Sequence, residues 1–129
     1  MREARPITRT LLIVDDEPEI RAEMVEYFEG KGYRVVQAAD GLEALEKIEA
    51  AIPDAVITDL KMPRYDGFEL IRRLRATHAE VIIIAVAGTY SHEDLERAGT
   101  LGAQATLRKP IRLRELAETL RGFLDPAET

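Results

Sequence analysis

Short apolar runs alternate along this chain with segments whose apolar residues recur at helical spacing. The first run, Thr10-Leu-Leu-Ile-Val14, ends against two aspartates. An unbroken apolar run of strand length suits a strand covered on both faces, as in a parallel sheet. Pro18 stands where a helix can start. Ile20, Met24, Tyr27 and Phe28 then fall on one helical face, and Gly30 and Gly32 supply the stop. Residues 33–38 predict a second strand. Asp40-Gly41 opens a second helix, with Glu43 placed for a capping box and Leu42, Leu45 and Ile48 as its buried stripe, and Pro53 breaks it. Residues 54–58 predict a third strand running into Asp59, followed by a loop over 61–67. Phe68, Ile71 and Leu74 mark a third helix. Residues 81–86, the most apolar run, predict a fourth strand at the centre of the sheet, ended by Gly88. Ser91 with Asp94 predicts the cap of a short fourth helix carried by Leu95, Ala98 and Leu101. Residues 103–107 predict a fifth strand, closed by Lys109-Pro110. Leu113, Leu116, Ala117, Leu120 and Leu124 trace a fifth helix.

Five strand–helix units in succession predict an α/β fold. Right-handed crossovers give a parallel sheet with helices on both faces. The 129 residues suit one domain, expected to fill 1–129 with its core over about 10–124. Hydrophobic residues at 46% and charged residues at 33% give a globular balance. No apolar run is long enough to span a bilayer, and the N-terminus lacks the apolar centre of a secretory signal, so a cytoplasmic location is expected, away from membranes. The absence of cysteine excludes disulfides, thiolate metal sites and a cysteine nucleophile. His78 and His92, read as surface residues, are too few for a multi-histidine zinc site. A net charge of −6 and 5% aromatic residues argue against nucleic-acid binding.

In such sheets ligands bind beyond the carboxyl ends of the strands. Asp15 and Asp16 follow the first strand, Asp59 the third and Lys109 the fifth. Each aspartate alone reads as a solvated turn residue. Together, three carboxylates at one edge repel unless a cation sits among them. Mg²⁺, which takes oxygen ligands, is the natural candidate, and Mn²⁺ suits the same donors. Lys109 adds a point charge fit for a phosphoryl oxygen.

Leu12-Ile-Val-Asp-Asp-Glu17, Thr58-Asp-Leu-Lys-Met-Pro63 with Asp66-Gly67, and Arg108-Lys-Pro110 together resemble the signature blocks of the receiver domain of two-component response regulators. The resemblance implies a flavodoxin-like, CheY-like (βα)5 sandwich of three layers with strand order 2-1-3-4-5. It implies that Asp59 takes a phosphoryl group from a sensor histidine kinase or a histidine phosphotransfer protein in a phosphorelay. Asp16 and Asp59 match direct ligands of Mg²⁺, Asp15 a ligand through water, and Lys61 a backbone-carbonyl ligand. Lys109 matches the phosphate contact, and Pro110 a proline usually cis. Gly88 can offer its backbone N–H to a phosphoryl oxygen. The role implied is that of a signalling phosphoacceptor with slow self-dephosphorylation, not an enzyme. It is either a single-domain regulator or a receiver cut from a longer protein. Pro18, Ile20 and Ile111 offer an apolar patch for the kinase side. The fourth helix, fifth strand and fifth helix, with Arg108, Arg112, Arg114 and Arg121, offer a face for an unidentified downstream protein.

The chain departs from the family at its switch. The hydroxyl usual at the end of the fourth strand is replaced by Ala87, and the aromatic usual on the fifth strand by Thr106. Thr89 is the nearest hydroxyl after Ala87. The resemblance implies that it and Lys61, two residues after Asp59, occupy positions that tune the lifetime of the acyl phosphate, and neither is acidic or an amide. The alternative reading is a degenerate receiver that docks partners independently of phosphorylation.

Overall fold

The computed structural model describes residues 8–88 and 92–125. Strands β1 (Thr10–Val14), β2 (Arg34–Ala38), β3 (Ala55–Asp59), β4 (Ile82–Ala87) and β5 (Ala105–Arg108) alternate with helices α1 (Pro18–Gly30), α2 (Gly41–Ala50), α3 (Gly67–Thr77), α4 (His92–Leu101) and α5 (Leu113–Leu124). All strand pairs are parallel, in the order β2-β1-β3-β4-β5.

Strand alternation divides the core in two. Leu11, Ile13, Ile57, Ile84 and Val86 pack with Met24 and Phe28 of α1 and with Leu116 and Leu120 of α5. Leu12, Val14, Val56, Ile83, Ala85 and Ala87 meet α2, α3 and α4 through Ala44, Ile48, Leu70, Ile71, Leu74 and Ala98. Both faces of the three inner strands are therefore dry, which is why β1, β3 and β4 read as nearly continuous apolar runs.

The start signals act as their chemistry dictates. Pro18 occupies the first turn of α1, where its missing N–H costs no hydrogen bond. At α2 the Glu43 N–H donates to Asp40 Oδ1 at 2.9 Å, and Glu43 Oε1 accepts from the Ala39 N–H at 2.7 Å. Asp66 caps α3 by accepting from the Glu69 N–H at 3.0 Å. Gly32, at φ +98°, takes the left-handed turn after α1.

Several expectations need correction. The middle strand is β3, buried at all five positions, and β4 lies between it and β5. A strand next to the centre is covered on both faces just as the central one is, so apolarity did not separate them. Leu42 is 39% exposed, and Ala44 and Ile48 carry the buried face of α2. β2 begins at Arg34 because the Tyr33 N–H turns back to the Phe28 carbonyl. β4 starts and ends one residue later than expected, and β5 covers Ala105–Arg108. Ser91 and Thr89 lie outside the described residues.

Candidate functional site

Every strand end that carries chemistry points to one edge. β1 delivers Asp15, β3 ends on Asp59, and β4 and β5 bring Ala87 beside Arg108. The Lys109 N–H donates to the Ala87 carbonyl at 2.7 Å, so the backbone hold between the two strands extends to the lysine. Gly88 adjoins the lysine stem without being required by it, since a Cβ there would lie 4.0 Å from Lys109 Cδ, at ordinary van der Waals contact. The Lys109–Pro110 bond is cis.

Lys109 Nζ then sits among three carboxylates, at 3.2 Å from Asp59 Oδ2, 3.3 Å from Glu17 Oε1 and 3.5 Å from Asp15 Oδ2. Asp15 and Asp59 are 2% and 7% exposed. One ammonium cannot balance three carboxylates, two of them taken from water. Burial pushes the Asp59 carboxyl above its ordinary value, Lys109 works against this, and Asp15 adds to it. Burial likewise raises Asp15, against the Glu17 N–H and Lys109. For Lys109 burial works downward, but Asp59 and Asp15 outweigh it and hold the ammonium above its usual range. Backbone amides fix both carboxylates: the Leu60 N–H donates to Asp59 Oδ1 at 2.8 Å, and the Glu17 N–H to Asp15 Oδ1 at 2.9 Å.

The structure thus brings Asp15, Asp59 and Lys109 together and adds Glu17, which the sequence reading missed. Asp15, Glu17 and Asp59 each place a carboxylate oxygen within 4.8 Å of the others. The signal for Glu17 was only its position two residues after Asp15, in a turn that folds it back. Asp16 is exposed and lines a neighbouring depression with Lys61, Met62, Pro63 and Asp66. This donor set is all oxygen, partly buried and short of positive charge, which fits a hard divalent cation such as Mg²⁺. Gly67 packs the following loop against the site. Its N–H donates to the Leu60 carbonyl at 2.8 Å, and a Cβ there would overlap the Asp59 carbonyl.

The remaining candidates lie around this centre. Ala87 is fully buried, and Thr106 is half-buried opposite Ala85. Pro18 is exposed, while Ile20 and Ile111 are half-buried. Arg108, Arg112, Arg114 and Arg121 are exposed, and Arg114 lies 3.6 Å from Glu118. His78 is half-buried at the end of α3, with Nδ1 2.8 Å from Thr77 Oγ1. His92 is exposed, 3.4 Å from Glu96. Among the described residues no helix is long and apolar enough to cross a membrane.

The chain is similar to known proteins over most of its length. The family model of the response regulator receiver domain matches residues 11–121. Response regulator MprA of Mycobacterium ulcerans (strain Agy99) is 37% identical over 114 residues, which cover 88% of this chain and 49% of that protein. Sporulation initiation phosphotransferase F of Bacillus subtilis (strain 168) is 32% identical, covering 88% of this chain and 92% of that protein. The chain therefore spans about half of one relative and nearly all of the other. Among solved structures, a CheY-like response regulator receiver domain protein from Methanospirillum hungatei JF-1 superposes with a TM-score of 0.89 at 32% identity. That match covers 95% of this chain and 98% of the other.

Proposed function

Since the chain belongs to the response regulator receiver domain family, whose members are signalling phosphoacceptors of two-component systems, we propose that Asp59 is its phosphoacceptor. The donor is the phosphohistidine of a sensor histidine kinase or histidine phosphotransfer protein. A carboxylate oxygen of Asp59 forms the new bond to phosphorus while the phosphorus–nitrogen bond breaks. The electron pair leaves with the imidazole, which is protonated. Such transfers need alignment and charge neutralisation more than covalent help. The observation that carries the reading is Lys109 Nζ at 3.2 Å from Asp59 Oδ2, a cation already placed where the charge of a transferred phosphoryl group falls.

Asp16, Asp59 and the Lys61 carbonyl hold Mg²⁺ directly in this reading, with Asp15 reaching it through water and Glu17 at the rim. When bound, the ion neutralises charge on the phosphoryl oxygens. The Leu60 N–H keeps the Asp59 carboxylate in one plane, Lys109 follows the phosphoryl group, and the Gly88 N–H is the further donor toward it. The 92% coverage of a Bacillus protein named a phosphotransferase supports a role in a phosphorelay. Pro18, Ile20 and Ile111 form the docking patch on the kinase side, and the α4–β5–α5 face meets the downstream protein. Incubation with acetyl phosphate and Mg²⁺ is expected to add one phosphoryl mass to the protein, at Asp59 by peptide mapping. No added mass, or a phosphoryl group on another residue, defeats the reading.

Ala87 favours a second reading, a module that docks its partner regardless of phosphorylation. A buried alanine offers a phosphoryl group no hydroxyl. The two readings separate in Ala87→Thr. With a working phosphoacceptor, restoring the hydroxyl is expected to extend beryllofluoride-induced amide shifts from the Asp59 loops into β5 and α5. It should also lengthen the life of the acyl phosphate, read by phosphate release. Shifts that stay around Asp59 in both proteins, with unchanged partner affinity, favour docking alone.

A further inference from the structure

The loop after Asp59 is held by an element that touches neither the phosphoacceptor nor the lysine. Asp40, only 7% exposed, accepts from both Nε and Nη2 of Arg64, the former at 2.9 Å. Both donors meet the one oxygen Oδ2, while Oδ1 takes the Glu43 N–H, so the paired N–H groups fix the arginine's direction as well as its distance. Beside it, the Gly41 N–H donates to the Tyr65 carbonyl at 2.9 Å. The approach is so close that a Cβ on residue 41 would overlap that oxygen. Arg64 has φ +70°, the left-handed region that costs an L-residue and that glycine takes freely. An arginine there trades backbone ease for a side chain that reaches Asp40. The Glu43 N–H first, and then Arg64, hold the Asp40 carboxyl below its ordinary value, so it stays charged.

The other end of this turn serves Asp15. The Ala38 carbonyl accepts the Asp15 N–H at 3.1 Å. Residues 38–41 therefore tie the backbone of Asp15 to the loop that carries Lys61. The two flank one depression, lined by Asp16 on one side and by Lys61 and Asp66 on the other. We propose that the Asp40–Arg64 ion pair is a cross-brace that positions the Lys61 loop against Asp15 and Asp59 for divalent-cation binding. Both are positioning residues, and the inference rests on the cation site proposed above.

The test uses Arg64→Gly, which relieves the left-handed backbone while removing the fork, and Asp40→Asn, whose side-chain oxygen still accepts the Glu43 N–H. Mg²⁺ dissociation constants are measured by calorimetry, and thermal midpoints in EDTA. Each variant is expected to bind Mg²⁺ roughly tenfold more weakly, as loss of a supporting contact behind a metal ligand does. The double variant should be no weaker than the worse single one, because the two act as a unit. Arg64→Lys restores part of the affinity, since a point charge reaches Asp40 without the fork. The Gly41 amide is expected to exchange faster in Arg64→Gly even without metal. Wild-type protein that binds Mg²⁺ no better than Arg64→Gly overturns the brace and leaves the phosphoacceptor reading standing. Additive losses in the double variant overturn it too. Wild-type protein that binds no Mg²⁺ at all overturns the cation site and the brace together.

Discussion

Asp59→Asn is expected to make the metal-free protein more stable while abolishing phosphoryl uptake. The folded chain places Asp15, Glu17 and Asp59 around one ammonium, and burial disfavours the charged form of Asp59. Asparagine keeps the shape and an oxygen for the Leu60 N–H, and removes one buried charge and its repulsion with Asp15. A gain of about 1–2 kcal/mol is expected, the range seen when a functional site loses a destabilising group. The pH dependence follows from the sign of the shift. A carboxyl raised in the folded state binds its proton more tightly there than in the unfolded chain. Its ionised form thus costs stability above the folded value. That cost fades as the pH falls through the folded value and is gone below 3.8, the ordinary value, where both states are neutral. The advantage of Asp59→Asn should therefore be largest above the folded value, shrink as the pH falls through it, and be lost only below 3.8. Thermal unfolding in EDTA across this range checks it. A midpoint at neutral pH equal to or below that of the wild type would show that Lys109 already compensates the cluster.

Arg75→Ala has the largest expected cost away from the site. This guanidinium, at the last turn of α3, donates to the Ala79 carbonyl at 2.7 Å and the Val81 carbonyl at 3.0 Å. It also donates to the Gly102 carbonyl from Nη2 at 2.8 Å and to Gln104 Oε1 at 3.0 Å. Gln104 Oε1 in turn accepts the Ile83 N–H at 2.7 Å. One side chain thus closes the turn into β4, the end of α4 and the entry to β5. Burial lowers its affinity for the proton, but a guanidinium starts so far above neutrality that it stays charged at any ordinary pH. Removing it leaves partly buried acceptors without a donor, at a cost of about 2–4 kcal/mol. Lysine should not restore the loss, because its ammonium cannot reach acceptors spread in a plane. Denaturant unfolding measures the cost. Phosphoryl uptake by the folded variant should match wild type, since Arg75 lies at the opposite end of the strands from Asp59. A loss below about 1 kcal/mol would mean that water replaces the guanidinium at these carbonyls.

The fold was legible because a sheet buried on both faces leaves an unbroken apolar signature, and the helices between carry a one-sided one. The cap of α2 was legible for a local reason, since Asp40 and Glu43 bond three residues apart, whereas the similar cap of α3, Asp66 with Glu69, went unread because Asp66 sat in a loop read for its resemblance. Asp15 and Asp59 were legible at strand ends because each follows or closes a largely apolar run, and Lys109 because Lys109-Pro110 closes the fifth strand. Periodicity could not tell which strand is central, since β3 and β4 are both dry on two sides. Nor could it find Glu17, Arg64 or Arg75. The contacts of Arg64 and Arg75 reach 24 to 29 residues along the chain, and Glu17 meets Lys109 at a separation of 92. Such pairings cost chain entropy until the strands have already aligned, so no local pattern encodes them. Near-neighbour chemistry alone dictates the elements, the α2 cap and the strand-end carboxylates. The tertiary structure alone decided which charges share Lys109 and which arginine holds which loop, because those depend on how separate strand ends meet in space.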